Sequence, residues 1–517
     1  MESVRVRSSG AMWYAILAAW GACTVLLTWR FLPFPADLPS ALVLLFLLAC
    51  LSYFVLTGVF NVVVNATSHL LRDPPPAAGG PSGRPRVAVL YCTYNDFDRD
   101  SAQSLLDLTY ENLEVWVLDD STRPEVRAQV DAFVEGSRGA GRAIRVLRRA
   151  DRRGFKAGAI NAALRMLAPE VRYVAIADAD ERLAADFVEG TLRRFTHDDV
   201  AFVQANHRCY NTEGNWFTRY LGVGVDLHWR HYQRYRNRFG TVNMLGHGAL
   251  VRRDVLERLG GFPEVTCEDL AFTVAAKMAG YRGVFASDVV CGETFPEDFA
   301  AMRRRHLRWS WATVEFLRRN LVPILRSRRV RLHEKLDILL PSINLPAVFL
   351  LVAFLATAQG SRWLGVELAV FRDPVVVALG AFASVAPLAM FADILRRPWF
   401  AVRAILVNTV AYVALFPVSV VGVLRGLALP AQFLVTPKGS AGALTLRSAA
   451  REARAELAVG AALLALGYGA FGPWGLASPL ALSALCSPLL MVASRSGLLR
   501  QRERDARPDC GAPAGEG

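Results

Sequence analysis

Lysine is almost missing from this chain of 517 residues: four (Lys156, Lys277, Lys335 and Lys438) stand among 59 basic residues. The positive charge is therefore arginine charge, and each lysine position is the more informative for its rarity. Cysteine motifs are missing as well. The eight cysteines are scattered with no C-x-x-C pair, which argues against a cysteine-built zinc module or a disulfide framework. Several fall in the soluble part, as suits a reducing compartment. No internal repeat is visible. No small-residue cleavage site followed by a hydrophilic chain follows the first apolar run, so that run reads as an anchor. Charged residues make up only 20% of the chain, and mean hydropathy is +0.27. That is too apolar for an ordinary soluble protein and too charged for a bare membrane bundle. The net charge of +13 then reads as anchoring on the cytoplasmic side of a bilayer rather than as nucleic-acid binding.

What is present divides the chain. A membrane-crossing helix needs roughly 20 mostly apolar residues. Residues 11–29 and 38–64 meet that, with a break at Phe31 to Asp37 that predicts a hairpin over 1–70. The Pro- and Gly-rich stretch 71–85 predicts a linker. Residues 86–320 hold most of the acidic groups and predict a soluble domain; 321–495 hold apolar runs at 338–358, 374–395, 401–424, 457–472 and 475–494; 496–517 read as a polar tail. Arginines flank 401–424 on both sides. The positive-inside rule puts both flanks in the cytoplasm, so this run is predicted to lie at the membrane interface or re-enter, leaving six spans.

Within 86–320, strands are predicted at 86–92, 114–118, 144–148, 172–177 and 201–206, alternating with helices. Fully apolar strands such as Val87 to Leu90 and Val174 to Ala177 predict burial on both faces, hence an α/β fold with a doubly wound, mostly parallel sheet, inserted between transmembrane helices. Ligands bind such sheets beyond the carboxyl ends of the strands. There stand Thr93, Tyr94 and Asn95, then Asp119 and Asp120, then Asp178-Ala179-Asp180. Singly these are also ordinary turn and cap residues. Together, two carboxylates one residue apart suit a hard divalent cation. Lys156, at a glycine-rich helix entry with Asn161 behind it, suits a diphosphate. Glu268 and Asp269 open a helix, where a carboxylate can act as general base. Arg305, Arg308 and Trp309 share a helical stretch that can meet an anion and a sugar face.

These segments, in this order, resemble the processive membrane-bound family 2 glycosyltransferases of the GT-A fold, the branch of the bacterial cellulose synthase catalytic subunit, hyaluronan synthase and chitin synthase. The matching pieces are Asp119-Asp120, Lys156 to Asn161, the D-x-D of Asp178 and Asp180, Cys267-Glu268-Asp269, and Arg305-His306-Leu307-Arg308-Trp309. Phe433, Val435, Thr436 and Lys438 look like that family's gating loop, here 433–438. The resemblance implies an inverting transferase that takes a UDP-sugar, UDP-glucose first among them, with Mg²⁺ or Mn²⁺ on Asp178 and Asp180. It implies Asp269 as base with Glu268 beside it. It implies Thr93, Tyr94, Asn95, Asp119, Asp120, Lys156, Asn161 and Asp178 around the donor, and Arg305, Arg308 and Trp309 at the pyrophosphate and acceptor. The implied product is a β-linked polysaccharide, made by a multi-pass protein of the cell (inner) membrane with its catalytic domain in the cytoplasm. The implied partners are the lipid bilayer, the growing chain and a periplasmic export subunit, with no nucleic acid. The departures are Cys267 where the family has Thr, and Arg305 at the first position of its Q-x-x-R-W. The rival readings are transfer of a single sugar to a lipid phosphate or glycolipid, and a silent subunit of an export complex.

Overall fold

A computed structural model describes residues 9–31, 37–71, 80–344, 348–363, 373–429 and 442–505. The gating-like loop 433–438, with Phe433, Val435, Thr436 and Lys438, lies outside the described residues, as do most of the linker and the end of the tail.

The apolar runs of the soluble segment become the strands of one sheet: β1 (Arg86–Thr93), β2 (Leu113–Asp119), β3 (Ile144–Leu147), β4 (Val171–Asp178), β5 (Val200–Cys209), β6 (Ala249–Arg252) and β7 (Arg282–Glu293). Their order is β3-β2-β1-β4-β6-β5-β7. Strand β6 runs antiparallel to both neighbours and the other pairings are parallel. Val87, Val89 and Tyr91 enter one core layer and Ala88 and Leu90 the other, all at 0% exposure. This is the two-residue period of a strand covered by helices on both faces. The order reverses at β1, whose neighbours are β2 on one side and β4 on the other. A crevice opens beyond the carboxyl ends at such a reversal. The first five strands and the helices Arg99–Leu106, Pro124–Gly139, Phe155–Leu164 and Phe187–Leu192 fall where the alternation predicts them. Past residue 206 the simple alternation stops. There the structure adds the helix Trp216–Phe239, the four-residue β6 and the long β7.

Among the described residues, four helices are long and apolar enough to cross a membrane: Ala11–Phe31, Leu38–Leu70, Pro374–Ile394 and Pro398–Ala428. The first two pack against each other. Trp20 donates to the Ser52 carbonyl at 2.9 Å and to its hydroxyl at 2.8 Å, and Thr24 joins the same hydroxyl at 2.7 Å. Hydrogen bonds of this kind hold helices together where lipid supplies no hydrophobic drive. Leu38–Leu70 has 33 residues, about 50 Å of helix. It is longer than a hydrocarbon core of roughly 30 Å requires, and its last turns carry the polar Asn61, Asn65 and His69.

The C-terminal runs are more broken than their apolarity suggests. The run predicted at 475–494 is a 3₁₀ turn, Gly472–Ala477, then Pro479–Leu485, then Ser487–Asp505, interrupted at Cys486 before Pro488. Proline has no N–H to continue the ladder. The last helix carries on to Asp505 through the start of the expected tail, and its Arg495 pairs with Asp298. The run 401–424 is likewise two helices, Pro398–Ala414 and Phe416–Ala428, broken at Leu415 next to Pro417. Half of its apolar window (50%) is buried by protein, against 17% for Ala11–Phe31. Its first half meets Trp216–Phe239, where a Cβ at Gly224 would fall 2.1 Å from Asn408 Oδ1. Its second half lies along Phe299–Arg326, where a Cβ at Gly422 would fall 2.6 Å from Ser310 Cβ.

That second contact leaves no room for a methyl group. Gly422→Ala is therefore expected to destabilise the protein by about 1–3 kcal/mol through overpacking, read as a lower melting temperature of detergent-purified protein against a Gly380→Ala control, whose added Cβ meets nothing within 4 Å.

Candidate active site

The crevice beyond β1, β2 and β4 is an open cleft of about 1120 Å³. Its walls bring together twelve of the predicted residues: Thr93, Tyr94, Asn95, Asp120, Lys156, Asp178, Asp180, Glu268, Asp269, Arg305, Arg308 and Trp309. Asp178 ends β4, and Asp180 follows in the turn. The Lys156 ammonium, from the second residue of Phe155–Leu164, pairs with Asp178 and donates to the Gly246 carbonyl at 3.0 Å. Gly246 has φ of +90°, and a Cβ there would lie 3.4 Å from Asp269, so the residue lets the backbone pass between lysine and acid. Burial works against the Lys156 charge, but Asp178, Cys92 and Glu268 together outweigh it and hold the lysine pKa above its usual value. Asp180 accepts from the Thr294 hydroxyl at the end of β7.

Asp119 and Asn161 are not part of the wall, which corrects the expectation for both. Asp119 is 1% exposed. It accepts from the Ser121 amide at 2.9 Å and from Arg148 at 2.7 Å, and so shapes the turn that presents Asp120. Asn161 points away from the cleft to the Phe262 backbone, donating to its carbonyl at 2.9 Å and accepting from its amide at 2.8 Å. Asn95 lines the cleft but also ties the loop: its side-chain oxygen accepts from the Thr122 and Arg123 amides, both at 2.9 Å. Its φ of +59° is one that Asn tolerates. Asp120 is held by Arg149, and the Arg152 guanidinium lies over the Tyr94 ring.

Opposite stand Glu268 and Asp269, the first residues of Glu268–Ala279. Their helix start favours negative charge, and Asp269 accepts from the Leu270 amide at 2.7 Å. Desolvation nevertheless dominates both. Burial, helped by the Asp269 charge, pushes Glu268 up to about 7. Burial also raises Asp269, against the pull of the Leu270 amide and Lys156. The third wall is the helix Phe299–Arg326. Arg305 lies 4.7 Å from the Trp309 ring centroid and 5.4 Å from that of Phe295. Burial and Arg305 lower the Arg308 pKa, while Asp178, Glu268 and Asp269 hold it up. The same helix is bound to Phe416–Ala428 by a buried His306–Ser419 hydrogen bond of 2.7 Å.

Sequence reasoning missed the cleft floor. His247 sits with Nδ1 3.1 Å from Glu181 and Nε2 3.1 Å from Glu293, stacked on His207 at 4.2 Å between centroids. Burial opposes a charge on His247, but Glu181, Asp178 and Glu293 together overcome it and raise its pKa well above the usual value. Burial presses its stacked neighbour His207 down to about 3. Glu181, fully buried, accepts from the Gly248 amide at 3.0 Å and the Asp178 amide at 3.4 Å, and so braces the first acid of the pair. The one sequence signal was a carboxylate directly after the D-x-D, which reads as a helix cap.

A doubly wound sheet with a carboxylate pair at the switch point, two further acids at a helix start and a basic wall has the GT-A architecture of glycosyltransferases. The family profile described as "Glycosyl transferase family group 2" matches residues 173–427. The chain carries a family 2 glycosyltransferase domain, related to the cellulose synthase-like glucomannan mannosyltransferases. It is 30% identical over 233 residues, 44% of its length and 45% of the relative's, to "Glucomannan 4-beta-mannosyltransferase 1" of Oryza sativa subsp. japonica. It is 28% identical over 233 residues, 44% of each, to "Glucomannan 4-beta-mannosyltransferase 2" of Arabidopsis thaliana. The chain thus spans about half the length of the curated relatives it matches. Among solved structures, "Mannosyltransferase PcManGT from Pyrobaculum calidifontis in complex with GDP-Man and Mn2+" shares the fold, with a TM-score of 0.51 at 20% identity over 81% of this chain and 98% of that one.

The brace under Asp178 can be tested apart from turnover. Glu181→Ala takes away the carboxylate that faces His247 at 3.1 Å and that the Gly248 amide shares with the Ile176 carbonyl, and is expected to cost about 1–3 kcal/mol. Glu181→Gln keeps an acceptor and is expected to cost less, measured by thermal melting followed through tryptophan fluorescence.

Proposed function

We propose that the chain is an inverting hexosyltransferase of the membrane that extends a β-linked polysaccharide from a nucleoside-diphosphate sugar. The observation that carries this is the convergence on one cleft of the acid pair, the Glu268–Asp269 pair and the Arg305–Trp309 wall, with that wall bound directly to Phe416–Ala428. The naming of the relatives as glucomannan mannosyltransferases moves the favoured donor from UDP-glucose to a GDP-mannose type, and the favoured product to a mannose-containing β-glycan. The arginine flanks favour a cytoplasmic cleft at the inner membrane, with 401–424 along the interface. A product leaving through the membrane helices would then meet an export partner on the far side.

Asp178 and Asp180 offer carboxylate oxygens one residue apart at the cleft wall, a donor set that fits Mg²⁺ or Mn²⁺. When bound, the cation neutralises charge on the leaving nucleoside diphosphate. Asp120 and the Tyr94–Arg152 pair flank the nucleotide end of the cleft. Asp269 takes the proton of the acceptor hydroxyl. The freed oxygen bonds the anomeric carbon opposite the leaving group, the bond from that carbon to the diphosphate breaks, and an α-sugar becomes β-linked. Lys156, Arg305 and Arg308 face the charge that grows on the departing diphosphate. Trp309 offers its ring to the acceptor sugar.

Membrane vesicles are to be offered GDP-mannose and UDP-glucose separately with Mg²⁺ or Mn²⁺, and release of nucleoside diphosphate and high-molecular-weight product measured. Polymer is expected with GDP-mannose; a single lipid-soluble sugar adduct would instead establish non-processive transfer. Asp269→Asn is expected to lower kcat by about 10²–10⁴-fold with donor KM little changed. Burial raises the Asp269 pKa, so the ionised base is lost as pH falls, and activity is expected to drop on the acid side at a higher pH than an ordinary aspartate would give.

A further inference from the structure

A second cluster of metal-binding side chains lies away from the cleft, where three elements meet. His69 comes from the last turn of Leu38–Leu70, His231 from Trp216–Phe239, and Asp393 from the 3₁₀ end, Ala386–Ile394, of the helix that starts at Pro374. His69 Nδ1 is 2.9 Å from Asp393 Oδ1, His231 Nε2 is 3.0 Å from Asp393 Oδ2, and the rings meet edge to face at 4.8 Å. One ligand atom from each residue lies within 4.8 Å of the others.

The hydrogen-bond pattern leaves a place for a cation there. Asn65 Nδ2 donates to the Asn61 carbonyl at 2.7 Å, which fixes the amide and turns Asn65 Oδ1 to His231 Nδ1, also at 2.7 Å. Nδ1 therefore carries the ring proton, and in the neutral ring Nε2 points a lone pair at a carboxylate oxygen. Two acceptors 3.0 Å apart call for a second ring proton or a metal ion between them. A second histidine converging on the other oxygen of Asp393 is more than a single proton requires. Metal-binding imidazoles donate their remaining N–H to a fixed acceptor, and metal-binding carboxylates are themselves hydrogen-bonded. Here Asn65 does the first and Arg230, paired with Asp393, the second. Two imidazole nitrogens and a carboxylate suit zinc or a neighbouring transition metal rather than the harder cation of the cleft. Contraction to bonds of about 2.0–2.2 Å requires movement mainly of His69, whose side chain is 33% exposed.

We infer that His69, His231 and Asp393 form a binding site for a divalent transition-metal ion of the zinc class, which clips two membrane helices to the helix Trp216–Phe239. Because Val225 and Trp229 of that helix line the cleft, the ion would fix the height and rotation of the catalytic domain against its membrane frame.

The test uses the full chain in detergent, in an Asp178→Asn background that weakens the cleft's own cation site. Chelator-treated protein is loaded with Zn²⁺ or Co²⁺, dialysed and assayed for metal content, melting temperature and cobalt absorption. The expected result is one equivalent of retained metal, a melting temperature raised by Zn²⁺ and returned by chelator, and a ligand-field spectrum with intensity above that of octahedral cobalt. His69→Ala, at the exposed edge, is expected to weaken Zn²⁺ binding at least tenfold and abolish the melting shift. No metal retained by the Asp178→Asn protein would overturn the inference and leave the cluster an ion pair between a protonated histidine and Asp393. Retention unchanged in both His69→Ala and Asp393→Asn would overturn it equally. The metal content of the unsubstituted cluster decides the matter even if either variant fails to fold.

Discussion

Crowding of negative charge in a half-closed space is the constraint on which this structure turns. Asp178, Asp180, Glu268, Asp269 and Glu293 line one cleft, with Glu181 buried beneath it. Burying carboxylates is unfavourable unless each meets a cation or a donor. The chain answers with Lys156 on Asp178, His247 between Glu181 and Glu293, and Arg305 and Arg308 across the gap. Each answer comes from a different element, so the sheet, the loop before β6 and the helix Phe299–Arg326 must all be in place before the charges balance. The cost remaining on Glu268 and Asp269 raises the affinity of both for a proton.

The link from cleft to membrane is made by close helix contact rather than by loops. Gly224 and Gly422 let the two halves of the broken segment 398–428 approach separate helices of the catalytic domain, one bearing Val225 and Trp229, the other Arg305, Arg308 and Trp309. Asn408 and Ser419 add side-chain bonds on those same faces. A shift of this one segment would be felt on two walls of the cleft at once.

Much of this was legible beforehand because it depends on short-range rules. Strand burial and the strand ends that carry Thr93, Asp120 and Asp178 follow from two-residue periodicity and the habit of parallel sheets. Lys156 stood out because lysine is so rare here. What failed depends on which way a side chain turns. Asp119 and Asp120 are neighbours with opposite fates, because adjacent residues at a strand end point to opposite sides. Asn161 is one helical turn too deep to reach the cleft. His247 carries no pattern at all: its role exists because β7 brings Glu293 and the turn after β4 brings Glu181 to the same spot. The His69–His231–Asp393 cluster was hidden for the same reason, being drawn from positions more than three hundred residues apart, while cysteine spacing, the usual signature of bound zinc, was absent.

The long second helix has one more consequence. Because the stalk that ends at His69 is a single helix, its length and its phase cannot be changed separately. Each residue inserted or removed between the bilayer and His69 moves the tip by about 1.5 Å and rotates it by about 100°. A change of one residue would carry His69 and Asn65 round to the wrong side, whereas seven, close to two full turns, would keep the facing and alter only the height. Tolerated length variants of this stalk should therefore come in steps set by the helical repeat, a discreteness that a flexible tether would not impose.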